Sequence, residues 1–335
     1  MADVAYPGLV QPLIDPFGRR VTDLRVSITD RCNFRCTYCM PEEGMAWLDR
    51  HELLTYEEQA RIVRVCVERW GFESVRITGG EPTVRAHLPR LIAMLAPLGV
   101  DIAMTTNGVK LPEMVHDLAE AGLRRINVSL DSLRPEVFHE LTRRDDLDRV
   151  IVGIDASVEA GLDPVKVNCV VMRGINEDEV VDLARFGRER GVAVRFIEFM
   201  PLDADGAWGP DVVVPATEVI ARIDAVFPVE PVRRGTAPAS RYRYRDGRGE
   251  VGVIASVTQP FCGSCDRVRI TADGQFRNCL FAVAETDLRA LLRGGAGDDE
   301  VASAIATDVA GKWAGHSIGQ VTFIRPSRSM SQIGG

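Results

Sequence analysis

Six of the eight cysteines fall into two compact triplets: Cys32, Cys36 and Cys39 near the start of the 335-residue chain, and Cys262, Cys265 and Cys279 near its end. Three thiolates hold a cube of four irons by three corners and leave the fourth iron open to another ligand. The close spacing of the first triplet suits one loop wrapped around an iron–sulfur cluster, a spacing that zinc rarely uses. A four-ligand zinc site needs one more donor, and none of His51, His87, His116, His139 and His316 lies inside either triplet. Cys66 and Cys169 lie instead in apolar periodic patterns and read as core, the usual place of a free cysteine.

Around the second triplet, Arg267 and Arg269 stand two apart on a strand-like run and so share one face, in reach of whatever Cys265 helps to hold. Paired guanidiniums match phosphate oxygens bidentately, although isolated surface arginines are the commoner case. In the first half, Gly79-Gly80-Glu81-Pro82 follows a strand-like run. It offers close backbone approach and a carboxylate able to accept from an ammonium group, but the same letters make an ordinary turn. Thr106-Asn107-Gly108 carries the same ambiguity.

The elements that must position these residues alternate. Strand-like runs at 24–29, 74–78, 101–105, 124–130, 165–172 and 192–199 are separated by amphipathic helical stretches, which predicts an incomplete (βα)6 TIM-like barrel followed by a smaller C-terminal α+β domain. The division falls near 233–239, giving units of 16–235 and 236–335; 294–299 reads as a connection within the second. Thr55 and Glu58 form a capping box ahead of Ile62, Val63, Cys66, Val67 and Trp70 on one helical face. Strand parity turns Leu24, Val26, Val75, Ile77, Ile126, Val128, Val165 and Val167 towards helices. It turns Arg25, Ser27, Arg76, Thr78, Thr105, Asn127, Ser129, Lys166 and Asn168 inward. A closed barrel fills its interior with branched apolar side chains, so a polar interior requires water or a ligand. On the sixth strand Glu198 and Met200 share a face with Phe196 and Val194, so its inward side stays open.

Composition is compatible with this plan. A hydrophobic share of 46% supports a substantial core, and a formal charge of −8 disfavours long nucleic acids and anionic membranes without excluding a local cationic pocket. The longest uncharged apolar stretch, near 91–100, is too short to span a bilayer, and the Met1-Ala2-Asp3 start lacks a secretory signal. The expected location is the cytoplasm, with reduced cysteines.

The run from Asp30 to Pro41, with its three cysteines, and the 79–82 turn resemble the radical S-adenosylmethionine superfamily. The second triplet, the Asp266-Arg267-Val268-Arg269-Ile270 run and the terminal Gly334-Gly335 are similar, more narrowly, to the GTP 3′,8-cyclases of molybdenum cofactor biosynthesis, over almost the whole chain. The resemblance implies two [4Fe-4S] clusters, the first on Cys32, Cys36 and Cys39 and the second on Cys262, Cys265 and Cys279. S-adenosylmethionine then binds the open iron of the first and contacts Tyr38, Gly80, Ser129 and Met200. Guanine binds the open iron of the second, and GTP meets Arg25, Arg76, Thr105, Lys166, Arg267 and Arg269. The implied reaction takes hydrogen from ribose C3′ and joins C3′ to guanine C8. An external one-electron donor is implied, together with product hand-over to the cyclic pyranopterin monophosphate synthase and a monomeric or homodimeric state. The Gly334-Gly335 end is implied to reach the active site, although a terminal diglycine is commonly a frayed end. One departure stands out: at Thr142-Arg143-Arg144-Asp145 the family pattern has a glycine where this chain has Arg143.

Three other readings fit parts of the pattern. They are a different radical enzyme with an auxiliary cluster, a non-catalytic iron–sulfur electron carrier, and a structural zinc site made by the second triplet with His316. A carrier needs neither a polar lumen nor an open iron.

Overall fold

The computed structural model describes residues 11–203, 206, 208–321 and 323–334. Six parallel strands stand side by side in chain order: β1 (Asp23–Ser27), β2 (Ser74–Thr78), β3 (Asp101–Thr106), β4 (Arg125–Ser129), β5 (Val165–Val171) and β6 (Ala193–Glu198). Helices α1 (Tyr56–Trp70), α2 (Leu88–Leu95), α3 (Leu111–Ala121), the pair α4 (Pro135–Thr142) and α5 (Leu147–Glu159), and α6 (Val180–Arg190) make the crossovers, and α7 (Ala216–Asp224) follows β6. This is the expected incomplete (βα)6 barrel. Its outward side chains, among them Leu24, Val26, Val75, Ile77, Ile126, Val128, Val167, Val194 and Phe196, are buried in one hydrophobic core, each contributing roughly 1.5–3 kcal/mol.

Local sequence explains the first crossover. Thr55 Oγ1 accepts from the Glu58 amide at 3.1 Å, and Glu58 Oε2 accepts from the Thr55 amide at 2.7 Å. Gly71, at φ 65°, ends the helix in the left-handed region that glycine adopts without strain. Cys66 and Cys169 are both fully buried, as their periodic settings predict.

The later chain adds β7 (Val229–Val232), β8 (Ser240–Tyr244), β9 (Glu250–Ile254), β10 (Arg267–Ile270), β11 (Gln275–Arg277) and β12 (Thr286–Asp287). It also adds α8 (Leu288–Arg293), α9 (Asp298–Ala310) and the short α10 (Met330–Ile333). Among the described residues these strands join the incomplete barrel in one twelve-stranded sheet. β9 pairs parallel to β6 at one edge, and β10 pairs parallel to β1 at the other. Antiparallel partners then cover both outer edges, which protects them from pairing with another chain. The C-terminal chain thus brackets the barrel strands, and β10 brings the second cysteine triplet beside β1.

Candidate active site

The inward faces enclose one cavity of about 660 Å³. Parallel register sets Arg269, Arg25 and Arg76 level on the adjacent strands β10, β1 and β2. Asn127 stands level with Thr105 on one side and Lys166 on the other, and Asn168 is level with Arg195. All of these line the cavity. The sixth strand resolves as Arg195 and Ile197 inward. Glu198 is buried, and its carboxylate accepts from the amides of Ala216, Val257 and Thr258 at 2.8–2.9 Å, tying β6 to α7 and to the loop after β9.

So many cations at close quarters disfavour one another. Burial, with Arg267 and Arg76 adding, pushes Arg25 down to about 9. Burial, with Arg195, Arg125 and Arg267 adding against the opposing Asp23, pushes Arg76 down to about 10. Arg269 is driven well below its ordinary value by burial, Arg25 and Arg267. Lys166 falls to about 7 through burial, Arg195, Arg125 and Arg76. Arg25 Nε and Arg76 Nε and Nη1 are buried without a hydrogen-bond partner. Buried donors are normally satisfied, so this wall calls for water or an anion against it, and its net positive charge favours the anion.

Cys32, Cys36 and Cys39 sit in the long loop between β1 and α1. Asp30 Oδ2 closes that loop on the Leu48 amide at 2.6 Å, and the end of α4 holds it through Arg35 N to Thr142 O at 3.1 Å and Thr37 N to Leu141 O at 3.0 Å. Arg143 adopts a left-handed φ of 55°, a region that favours glycine. Its side chain donates to the Arg35 carbonyl at 3.0 Å. Burial pushes the Cys32 thiol up to about 12 and Cys39 up to about 11, and raises Cys36 well above its usual value. Iron binding must release those protons.

The Gly-Gly turn packs closely against the cysteine loop. A Cβ on Gly80 would lie 2.4 Å from the Asp30 carbonyl and 2.6 Å from that of Arg31, and one on Gly79 2.6 Å from that of Thr29. Glu81 is buried with its carboxylate engaged by Thr83 Oγ1 at 2.6 Å, Thr106 Oγ1 at 2.7 Å and the Asn107 amide at 2.6 Å. It clamps two βα loops together, with Thr83 and Thr106 on Oε1 and the Asn107 amide on Oε2. Tyr38, Ser129 and Met200 line the cavity, whereas Gly80 lies behind it, against the cluster loop.

Cys262 and Cys265 flank one turn, closed by Cys265 N to Cys262 O at 3.1 Å, and Cys279 follows β11. Arg267 Nη2 lies 3.6 Å from the Cys265 sulfur, and its guanidinium stacks 4.6 Å over the Phe261 ring. Burial would raise the Cys265 thiol, but Arg267 and Lys312 together hold it below its usual value. His316 packs its ring on Phe281 at 5.0 Å. Among the described residues no group of three or more His, Cys, Asp or Glu side chains forms a ready-made single-ion site. The fit to clusters rests on three free, loop-borne thiols in each place, and on N–H groups aimed at sulfur, such as Phe34 N to Cys32 Sγ at 3.3 Å.

The C-terminal tail enters the same region. Arg269 Nη1 donates to the Gly334 carbonyl at 2.8 Å, and a Cβ on Gly334 would lie 2.6 Å from Thr78 Oγ1. Gly335 lies outside the described residues.

Several residues of the site carry no periodic signal in the sequence. Asp131, just beyond β4, accepts from the Tyr38 hydroxyl at 2.5 Å and from the Val170 amide at 2.8 Å, and burial raises its carboxyl to about 6. Arg19, ion-paired with Asp15 at 2.5 Å, donates to the carbonyls of Cys262 at 2.6 Å and Ala314 at 2.8 Å. Lys312 Nζ donates to the Arg267 carbonyl at 2.6 Å.

Residues 26–187 match the radical SAM superfamily, and residues 192–318 match the family described as Molybdenum Cofactor Synthesis C. Streptococcus suis SuiB bound to S-adenosylmethionine shares the fold, with a TM-score of 0.61 at 16% identity over 89% of this chain and 68% of its own. Fold and cysteine loops together define a radical SAM protein. A Streptomyces coelicolor protein named GTP 3′,8-cyclase is 50% identical over 328 residues, 96% of each chain. A Mycobacterium tuberculosis protein named GTP 3′,8-cyclase 2 is 50% identical over 343 residues, 100% of this chain and 95% of its own. The chain belongs to the GTP 3′,8-cyclase family of radical SAM enzymes, a family that uses S-adenosylmethionine and [4Fe-4S] clusters.

Proposed function

We propose that the protein converts GTP to 3′,8-cyclo-7,8-dihydroguanosine 5′-triphosphate, the first step of molybdenum cofactor biosynthesis. The observation that carries this is a single cavity flanked by both triplets: Tyr38 reaches it from the first, and Phe261, Asp266, Arg267 and Leu280 from the second. A cationic wall with unpartnered Arg25 and Arg76 donors lies between them.

Cys32, Cys36 and Cys39 are assigned to the first [4Fe-4S] cluster, and Cys262, Cys265 and Cys279 to the second. When bound, the first cluster with S-adenosylmethionine supplies the radical that takes hydrogen from ribose C3′, and the second supplies an open iron for guanine. The chain's own residues do the rest. Arg25, Arg76, Arg269 and Lys166 receive the triphosphate, which carries about four negative charges, through charge-assisted hydrogen bonds. Thr105 and Arg267 complete the GTP contacts. Tyr38, Ser129 and Met200 meet S-adenosylmethionine, with Gly80 setting the loop behind them. Tyr38 is held by Asp131, so its place is fixed before any ligand arrives. Holding C3′ and its hydrogen acceptor in near-attack geometry is the main contribution of such a cavity. No helix among the described residues is long and apolar enough to cross a membrane. We place the protein in the cytoplasm, served by an external one-electron donor and handing its product to the cyclic pyranopterin monophosphate synthase.

The test is to supply anaerobically reconstituted protein with reductant, S-adenosylmethionine and GTP deuterated at C3′, and to weigh the 5′-deoxyadenosine formed. Gain of one deuterium is expected. Formation of 5′-deoxyadenosine without deuterium while GTP is bound would reject the cyclase assignment. No 5′-deoxyadenosine with the first cluster intact would reject the catalytic one.

A further inference from the structure

The three cysteines of the second triplet are not held alike. β10 and β11 pair antiparallel with Arg269 opposite Arg277, so Cys265, just before β10, and Cys279, just after β11, stand at the same end of one hairpin. Cys262 lies a turn farther out, and a residue from outside the hairpin grips its backbone. Arg19 Nη1 donates to the Cys262 carbonyl at 2.6 Å and to that of Ala314 at 2.8 Å, and Nη2 donates to that of Trp313 at 2.5 Å. Next along, Gly315 packs so closely that a Cβ there would lie 3.0 Å from Cys262 Cβ. Arg19 is 8% exposed, and its charge is met by Asp15, 4% exposed, through Nε to Oδ2 at 2.5 Å. Asp15 Oδ1 in turn accepts from the amides of Phe17 at 2.9 Å and Arg19 at 3.0 Å, closing the turn that carries both.

These bonds use all but one of the N–H donors of a guanidinium, in the planar fork that lysine lacks. The three to the second-triplet module go to carbonyl oxygens, which leaves the cysteine sulfur to a metal. The turn also leads into β1, so the strand that carries Arg25 and the outlying cysteine are tied to each other. We propose that Arg19, held by Asp15, is the positioning residue of the second cluster: its fork fixes the Cys262 loop against 313–315 and so keeps the third thiolate in place. This inference rests on the assignment of the second triplet to a [4Fe-4S] cluster.

The test is anaerobic iron release to an excess of a ferrous-iron chelator, followed by absorbance, without S-adenosylmethionine or GTP. Two full-chain parents are compared. One carries Cys32→Ala, Cys36→Ala and Cys39→Ala and holds the second cluster alone; the other carries Cys262→Ala, Cys265→Ala and Cys279→Ala and holds the first alone. Release requires the cysteine loop to open locally. Arg19→Met removes the fork and is expected to speed release from the second-cluster parent roughly tenfold, the worth of a single hydrogen bond to a charged group, and to leave the first-cluster parent unchanged. Arg19→Lys keeps the charge beside Asp15 without the fork. Release is therefore expected to stay fast, and the electron paramagnetic resonance signal of the reduced second cluster to broaden as Cys262 loses its single geometry. A Lys variant with the parent's rate and signal would overturn the inference, because Arg19 would then serve only as the partner of Asp15. Equal acceleration in both parents would overturn it as a general loss of stability, and unchanged release in the Met variant would overturn it while leaving the cluster assignment standing. If the second-cluster parent binds no iron where the first-cluster parent does, the functional reading falls and this inference with it.

Discussion

Arg76→Met should make the ligand-free protein more stable and a worse GTP binder. Methionine keeps most of the aliphatic length and removes the charge. The lowering of Arg76 from 12.5 to about 10 corresponds to ~3 kcal/mol of disfavoured charge at ~1.4 kcal/mol per tenfold. We discount this to ~2 kcal/mol because the guanidinium borders an open cavity. Two of its donors are unpartnered, which points the same way, since an unmet buried donor costs ~1–3 kcal/mol. The loss of attraction to Asp23, itself one of the causes acting on Arg76, is already inside that net shift. For 335 residues the unfolding entropy is ~0.7 kcal/mol per degree, so ~2 kcal/mol raises the melting temperature by ~3 °C.

GTP should reverse the order of stability. Losing charge-assisted bonds worth ~1.5–3 kcal/mol weakens binding roughly 10- to 100-fold, so GTP-dependent stabilisation largely disappears from the variant. The assay is anaerobic scanning calorimetry of the reconstituted protein with and without GTP, paired with titration calorimetry. Arg125→Met is the comparison, because the ion pair with Asp101 that it loses offsets the repulsion it relieves, so a smaller gain is expected. A ligand-free Arg76→Met protein that melts below the parent, or that binds GTP equally well, would refute the view that this wall is held in an unfavourable charge state for its ligand.

Gly80→Ala places a Cβ 2.4 Å from a backbone carbonyl of the first-cluster loop. We expect iron to fall from about eight to about four atoms per chain, with the second cluster's spectrum unchanged. Lys166 sits at about 7 without ligand, and phosphate beside it favours the ammonium form. The bound state then holds more protons than the free state, so GTP binding at pH 8 takes up close to one proton and weakens as pH rises above about 7; calorimetry in two buffers of different ionisation enthalpy measures both. Asp131, raised to about 6, must be ionised to hold Tyr38 as described. Affinity for S-adenosylmethionine, measured by equilibrium dialysis, should therefore fall as pH drops through about 6, and Asp131→Asn should lose that pH dependence. The thiols of Cys32 and Cys36 are raised by burial with Glu81 or Asp131 adding, whereas at the other triplet Arg267 and Lys312 lower Cys265. Variants keeping one triplet at a time should show the lower reduction potential at the first, and Lys312→Met should lower the second.

The parts of this site visible in the sequence are those with a period. Arg25, Arg76, Thr105 and Lys166 read as inward because their strand neighbours are apolar at alternate positions, and all four line the cavity. Arg195 escaped because β6 carries Val194 and Phe196 with Glu198 on one face and Ala193 and Ile197 with Arg195 on the other, leaving parity without contrast. Glu81 reads as a free carboxylate because two of its partners, Thr106 and Asn107, come from the end of β3 and the loop after it and only Thr83 is nearby in sequence. Arg19, Asp131 and Lys312 act through contacts with distant segments, Arg19 to Cys262 among them, and single polar residues in loops leave no pattern. Arg143 was legible as a substitution, but its left-handed backbone and its bond to the Arg35 carbonyl were not.

The topology explains why the charged wall can exist at all. β1 lies between β2, its neighbour in the barrel, and β10, which returns from the far end of the chain. Parallel pairing on both sides puts Arg76, Arg25 and Arg269 at one level, a row of like charges that no local sequence preference would assemble. The cost is carried by the apolar opposite faces of the same strands, where Val75, Leu24 and Val268 are fully buried. The same pairing brings Arg267, two residues beyond Cys265, level with Asp23 on β1. One strand registration therefore sets both the cationic row and the distance between the two cysteine sites. A change that slipped β10 against β1 by one residue would turn Arg269 outward and Val268 inward, disrupting the cationic row and the placement of the second triplet together.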